Sequence, residues 1–204
     1  MDTALELLDE IGLDALSTRR LATALGVRPG ALYWHVKNKQ DLLDALAEKI
    51  LGELAPVPPA DAATWPDAVR RMAVDMRRVL LAHRDAARLV AGSAWLGPHR
   101  LGFADGLMRV LSVTGAPVAA VAHGCDTVVS YVTGFVLQEQ SETGTTEDAE
   151  SAQEPGEAPD FSGFPHLGAW AAEWNPGVRQ EAFAAGLEIL VTGLDRYLSH
   201  RPHA

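Results

Sequence analysis

Apolar residues recur along this chain at steps of three and four, the spacing that lines up side chains on one face of an α-helix. Val69, Met72, Ala73, Met76 and Leu80 fall at i, i+3, i+4, i+7 and i+11, behind a Thr64-Trp65-Pro66-Asp67 start in which Thr64 is the expected cap. Leu43, Leu46, Ala47, Ile50 and Leu54 form a second stripe, with Asn38 as its cap and Asp41 three residues on. Leu5, Leu8 and Ile11 predict a short helix over 3–11, stopped by Gly12. Ser17 caps a helix carrying Leu21, Ala22 and Leu25 that ends at Gly26. Pro29 suits the first turn of a short helix over 29–36, where its missing N–H costs nothing.

Further helices are expected over 85–92, 98–113 and 118–140. A last one, over 177–199, places Phe183, Leu187, Leu190, Leu194 and Tyr197 at alternating steps of four and three, the narrow seam that two helices bury between them. Period-two alternation of β-branched residues is rare, so the fold class is all-α. "APVPPADAAT" at 55–64 is a proline-rich break, dividing the chain into a head, 1–54, and a helical body, 55–204. Residues 139–160 hold eight acids and no Lys or Arg, which predicts a mobile loop. A short helix after it is expected to lay Trp170 and Trp174 over a pocket or the core.

Charge changes this picture. The 204 residues sum to −10, which on its face argues against a nucleic-acid partner. Yet residues 15–40 carry Arg19, Arg20, Arg28, Lys37 and Lys39 with no acid, while residues 1–14 carry five acids and no base. A polyanion responds to the field within about 10 Å rather than to the total. The single cysteine, Cys125, cannot form an internal disulfide, which fits a reducing cytosol. Asp2 and Glu6 occupy the place of a basic leader, and no apolar run approaches the ~18 residues of a membrane helix. A cytoplasmic protein that does not engage a membrane is expected.

Two short helices around a glycine turn, the second one basic, make a helix-turn-helix, whose second helix fits the major groove of duplex DNA. Arg19, Lys37 and Lys39 are natural phosphate partners, and Tyr33, Trp34 and His35 can donate hydrogen bonds and pack on sugars. Tyr33 and Trp34 can equally be core aromatics of a small bundle. "LSTRRLATALGV…LYWHVKNKQDLLDALAEKIL" closely resembles the head of the tetracycline repressor family, with the strong match over roughly residues 4–51. A weaker likeness runs through "HRDAARLVAG" (83–92) and "TGFVLQEQ" (133–140).

The resemblance implies a homodimeric transcriptional repressor that sits on a palindromic double-stranded operator and is released by a small molecule bound in the body. The dimer would form through the helices at about 118–140 and 177–199. Thr18, Arg19, Tyr33, Trp34, His35 and Lys39 fall on family DNA-contact positions. Arg28, Pro29, Gly30 and Ala31 occupy the base-reading turn, where the tetracycline-binding members carry longer polar groups. Arg28 is then the candidate specificity residue, a bidentate guanine contact giving about 1–3 kcal/mol of discrimination, or equally a phosphate contact. Against the family the chain begins partway into the first helix, so a basic N-terminal arm is expected to be missing.

In the body, Ala55 and Val90 stand where the tetracycline-binding members place drug- and metal-contacting histidines. Met72 replaces an amide, and Gln138 a carboxylate. A tetracycline–magnesium inducer is therefore not expected, because magnesium wants carboxylates and water. Met72, Met76, Trp95, Phe103, Leu107 and Met108, with Ser130 and Gln138 as polar anchors, suit a bulky and mostly hydrophobic inducer; each can also be ordinary core. His99, His123 and His166 lack metal-ligand spacing, so no metal and no cofactor is expected. His123, Asp126 and Ser130 share one helix and cannot supply nucleophile, base and oxyanion donors in register, so an enzyme is not expected. The competing readings are a small-molecule carrier or enzyme with an incidental basic head, and a constitutive nucleoid-type binder.

Overall fold

The computed structural model describes residues 1–32, 36–93, 96–149, 160–172 and 178–199. Among them ten helices follow one another with no strand: α1 (Asp2–Ala15), α2 (Thr18–Ala24), α3 (Pro29–Leu32), α4 (Lys39–Leu51), α5 (Trp65–Leu81), α6 (Ala86–Gly92), α7 (Pro98–Ser112), α8 (Val118–Ala149), α9 (Pro165–Ala172) and α10 (Val178–Ser199). Leu8, Leu16, Leu42 and Leu46 close the interior of the first four helices. In the rest, α8 is central and touches α5, α6, α7 and α10. One apolar cluster runs through both parts, because α4 packs on α6 and α7.

Local chemistry explains most boundaries. The Asn38 side chain accepts the Asp41 N–H at 2.9 Å, and Asp41 in turn accepts the Lys37 N–H at 3.2 Å, so α4 starts from a reciprocal cap. The start of α5 differs from expectation. Thr64 is already helical and makes no cap bond, whereas Asp61 Oδ1 accepts from the Ala63 and Thr64 N–H groups at 2.9 Å and from the Thr64 hydroxyl at 2.8 Å.

Gly12 does not end α1. It kinks the helix at φ +74°, and the helix resumes as far as Ala15. The reason is tertiary: Leu13 N–H donates to Asp85 Oδ2 at 2.7 Å, and a Cβ on Gly12 would stand 3.1 Å from Arg84 and Asp85 side-chain atoms. Only glycine takes this conformation cheaply with neighbours so close.

α8 corrects two expectations. It runs on to Ala149, into the acidic stretch read as a loop from residue 139. Its stretch Val118–Ser141 is also long and apolar enough to cross a membrane by length and composition, contrary to the reading that no run approached that length. Val121, Cys125, Val128, Val132 and Val136 form its buried stripe. They face the other body helices, as a core helix does.

The α10 seam is shifted as well. Phe183, Leu187 and Leu194 are buried, but Val191 and Leu198 complete the stripe, while Tyr197 is 46% exposed and Leu190 is half-buried. Trp170 on α9 is 55% exposed rather than laid over the core, and Trp174 lies outside the described residues.

Candidate nucleic-acid interface and the body that carries it

The turn between α2 and α3 is built from backbone hydrogen bonds. Ser17 Oγ accepts the Arg20 N–H at 3.2 Å and starts α2. At its end Val27 N–H donates to Ala22 O and Gly26 N–H to Thr23 O, both at 3.0 Å, with Gly26 at φ +65°. That is the Schellman closure, which requires a left-handed residue where Gly26 stands. Arg28 O then accepts the Ala31 N–H at 2.9 Å and opens α3. The Asn38–Asp41 cap holds Lys37 and Lys39 just beyond.

Arg19, Arg20, Arg28, Gly30, Ala31, Lys37 and Lys39 are all exposed, and Thr18 is half-buried. Among the described residues none of these five cations joins an ion pair, although Lys39 is close enough to Asp14 to lower that carboxyl's pKa. Three arginines of the body are paired instead. Arg77 pairs with Glu139 at 2.6 Å, Arg78 with Asp75 at 2.7 Å, and Arg70 with Glu188 at 2.6 Å. Cations left unpaired on one face in an acidic chain make a ready counter-surface for phosphates. Arg28, Gly30 and Ala31 thus share one exposed turn, with Thr18 and Arg19 on the preceding helix and Lys39 at the start of α4. Pro29 opens α3 through its backbone. Tyr33, Trp34 and His35 lie outside the described residues, and Val36 beyond them is buried and non-helical.

In the body, Met72, Met76 and Leu107 are buried, and Phe103 and Met108 pack half-buried against the same cluster. Trp95 lies outside the described residues. Ser130 and Gln138 differ from this group in being exposed on α8. Ser130 lines an open groove between α8 and α10 with Asp126, Thr127, Tyr131, Gly186, Ile189 and Leu190. Ile189 is 74% exposed there. The two helices are joined by His123 Nδ1 and the Tyr197 hydroxyl at 2.8 Å, and by the Tyr131 hydroxyl, which donates to Phe183 O at 2.8 Å.

Family descriptions account for nearly all of this chain: "Bacterial regulatory proteins, tetR family" matches residues 1–46, and "Tetracyclin repressor-like, C-terminal domain" matches residues 57–198. The chain belongs to the TetR family. It is 37% identical over 193 residues to the Escherichia coli tetracycline repressor protein class A from transposon 1721, covering 94% of this chain and 86% of that one. Its fold is similar to that of the Streptomyces coelicolor TetR family protein ActR in complex with actinorhodin, with TM-score 0.80, 33% identity and coverage of 98% and 96%. It is also similar to TetR-Q116A from Acinetobacter baumannii AYE in complex with minocycline, with TM-score 0.75, 32% identity and the same coverage.

Several residues of this TetR-family chain escaped the sequence reading. Gln140 on α8, two positions from Gln138, donates to Leu80 O at 2.8 Å and His83 O at 2.7 Å and accepts the Ala87 N–H at 3.0 Å. It staples the α5–α6 turn. From that turn Asp85 holds Leu13, Arg84 N–H donates to Asp9 Oδ1 at 3.0 Å, and Arg88 makes a two-bonded pair with Asp14 at 2.8 and 2.7 Å. No local pattern announces contacts spanning more than 50 residues.

Proposed function

We propose that this TetR-family chain is a cytoplasmic, homodimeric transcriptional repressor, released from a palindromic operator by a bulky and mostly hydrophobic small molecule. The exposed cations that join no ion pair among the described residues, Arg19 and Arg20 on α2, Arg28 in the turn and Lys37 and Lys39 at the start of α4, are the observation that carries the reading, since an acidic chain gains little from them without an anionic partner. Residues 1–54 are the DNA-reading head. Thr18, Arg19, Arg28, Pro29, Gly30, Ala31, Tyr33, Trp34, His35 and Lys39 contact the duplex, with Arg28 reading a base and Lys39 holding phosphate. Residues 55–204 form the ligand-binding and dimerisation body.

Two copies join through 118–140 and 177–199, covering the groove in which Ile189 is exposed. The inducer lies among Met72, Met76, Trp95, Phe103, Leu107 and Met108. Ser130 and Gln138, being exposed on α8, serve it only where a partner copy closes over them. The solved relatives that hold actinorhodin and minocycline favour such a ligand. Without the histidines replaced by Ala55 and Val90, this one binds without magnesium. Binding shifts the two heads, so their recognition helices no longer match grooves about 34 Å apart. Moving the population from 99:1 to 1:99 takes about 5.5 kcal/mol of differential affinity.

The test uses a palindrome selected by the protein itself from a random duplex library. Lys39→Ala should weaken binding to all sequences alike and reduce the salt slope by about one, whereas Arg28→Ala should relax preference at one base pair. Selection that enriches no sequence overturns the operator reading.

A further inference from the structure

His83, in the α5–α6 turn, has a carboxylate at each ring nitrogen. Nδ1 lies 3.0 Å from Asp9 Oδ2 on α1, and Nε2 lies 3.2 Å from both carboxylate oxygens of Glu53, just past α4. The imidazole side chain is only 12% exposed. A neutral imidazole carries one N–H, so it can donate to one carboxylate and must turn a lone pair on the other. Only the imidazolium satisfies both partners.

Among the described residues, no Lys or Arg side chain is paired with either of those carboxylates. From the turn itself, Arg84 donates its backbone N–H to Asp9 Oδ1 at 3.0 Å and a guanidinium N–H to Glu10 O at 3.4 Å. Asp85 holds the Leu13 N–H, and Arg88 pairs with Asp14. From α5, Arg78 pairs with Asp75 and reaches only the backbone oxygen of Glu53, at 3.4 Å. From α4, Lys49 adds a favourable field at Glu53 while it pairs with Asp2 at 2.6 Å. From α8, Gln140 donates to the carbonyl of His83 itself at 2.7 Å.

We infer that His83 is a positioning residue, an imidazolium latch that fixes the DNA-reading head on the body and releases it on deprotonation. Two inputs meet at this residue: its ring holds α1 and the end of α4, and its carbonyl is held by α8. A displacement of α8 and the loss of a proton therefore loosen the same joint. The consequence for operator binding rests on the repressor reading above; the latch itself does not.

Burial opposes charge on the ring, but the hydrogen bonds and charges of Asp9 and Glu53 outweigh it and raise the His83 pKa above the ordinary 6.5. A raised histidine contributes fully below its unfolded pKa, and the contribution is lost as pH rises through the folded value. The latch is thus closed near pH 6 and open on the alkaline side of the raised value.

The experiment follows the histidine rings of isotope-labelled protein by NMR from pH 5 to 9, using His83→Gln to assign the resonance. Amide exchange of α1, corrected for intrinsic rate, is measured in parallel. His83 should titrate above 6.5, and Asp9→Asn/Glu53→Gln should bring it back toward 6.5. Each unit of that shift corresponds to about tenfold tighter holding of the charged form. Protection of α1 relative to α5 should fall by about that factor across the titration in the parent and stay flat in His83→Gln. A ring that titrates at or below 6.5, or a His83→Gln protein that keeps the parent's pH dependence, overturns the latch. Assigned instead through sequential backbone connectivities, the parent titration decides the matter even where a variant fails to fold. No DNA enters these measurements, so a protein with a working latch that selects no palindrome sinks the repressor reading alone.

Discussion

Arg77 on α5 and Glu139 on α8 meet through two parallel hydrogen bonds, of 2.9 and 2.6 Å, with 15% and 11% of their side chains exposed. The same guanidinium lies 4.9 Å from the centroid of the Phe183 ring on α10, so one charged contact gathers three helices. Phe183 stacks on Tyr131 at 5.5 Å and meets Phe135 edge-on at 5.2 Å.

Breaking that pair from one side leaves a charge with little solvent to replace its partner. Glu139→Gln or Arg77→Met should cost about 3 kcal/mol, seen as a drop of about 6–12 °C in thermal midpoint for a chain of this size. The double variant Arg77→Met/Glu139→Leu should recover much of the loss. Strictly additive losses around the four-protein cycle would show that the two side chains are not coupled.

Gln140→Leu removes three hydrogen bonds at once and leaves Leu80 O, His83 O and the Ala87 N–H without that partner. A loss of about 2 kcal/mol is expected, from the cost of stranding buried backbone groups. Amide exchange should quicken first in α6 and in the kinked end of α1 rather than in α5. A uniform increase across the chain would count against the staple.

Ile189→Arg should leave the fold intact, because the side chain is 74% exposed. It should also abolish the proposed α8–α10 pairing by burying an unpaired charge in it. Sedimentation of the parent is expected at twice the 21.8 kDa of one chain, and of the variant at that single mass. A variant that remains double places the interface elsewhere.

Cys125 is buried, and burial, with a smaller push from Asp126, raises its thiol to about 11 from an ordinary 9.0. Two units mean about a hundredfold less thiolate at a given pH, and the thiolate is the reactive form. Iodoacetamide at pH 8 should therefore label native protein at least about a hundredfold more slowly than unfolded protein. Equal rates would show that the thiol is open.

The caps and turns were legible residue by residue. Ser17, Gly26 and Asn38 each satisfy backbone groups no more than five positions away, so their types alone announce where α2 and α4 begin and where the α2–α3 turn falls. The basic run over 15–40 was equally plain, and the structure leaves its cations exposed. Thr64 misled because its hydroxyl is engaged by Asp61, which also takes the Ala63 and Thr64 N–H groups. That Gln138 and Ser130 are exposed was not legible, because position along α8 does not say which way a side chain faces.

Local order in this chain, meaning its helices, its glycine turn and its island of positive charge, follows from neighbours within about two helical turns, and those are written in the amino-acid order. Which face of α8 and α10 is buried, why Gly12 bends a helix rather than ending it, and why His83 sits between Asp9 and Glu53 were settled only by packing. Those contacts join residues from 30 to 118 positions apart, and their free energy exists only once the whole core has closed.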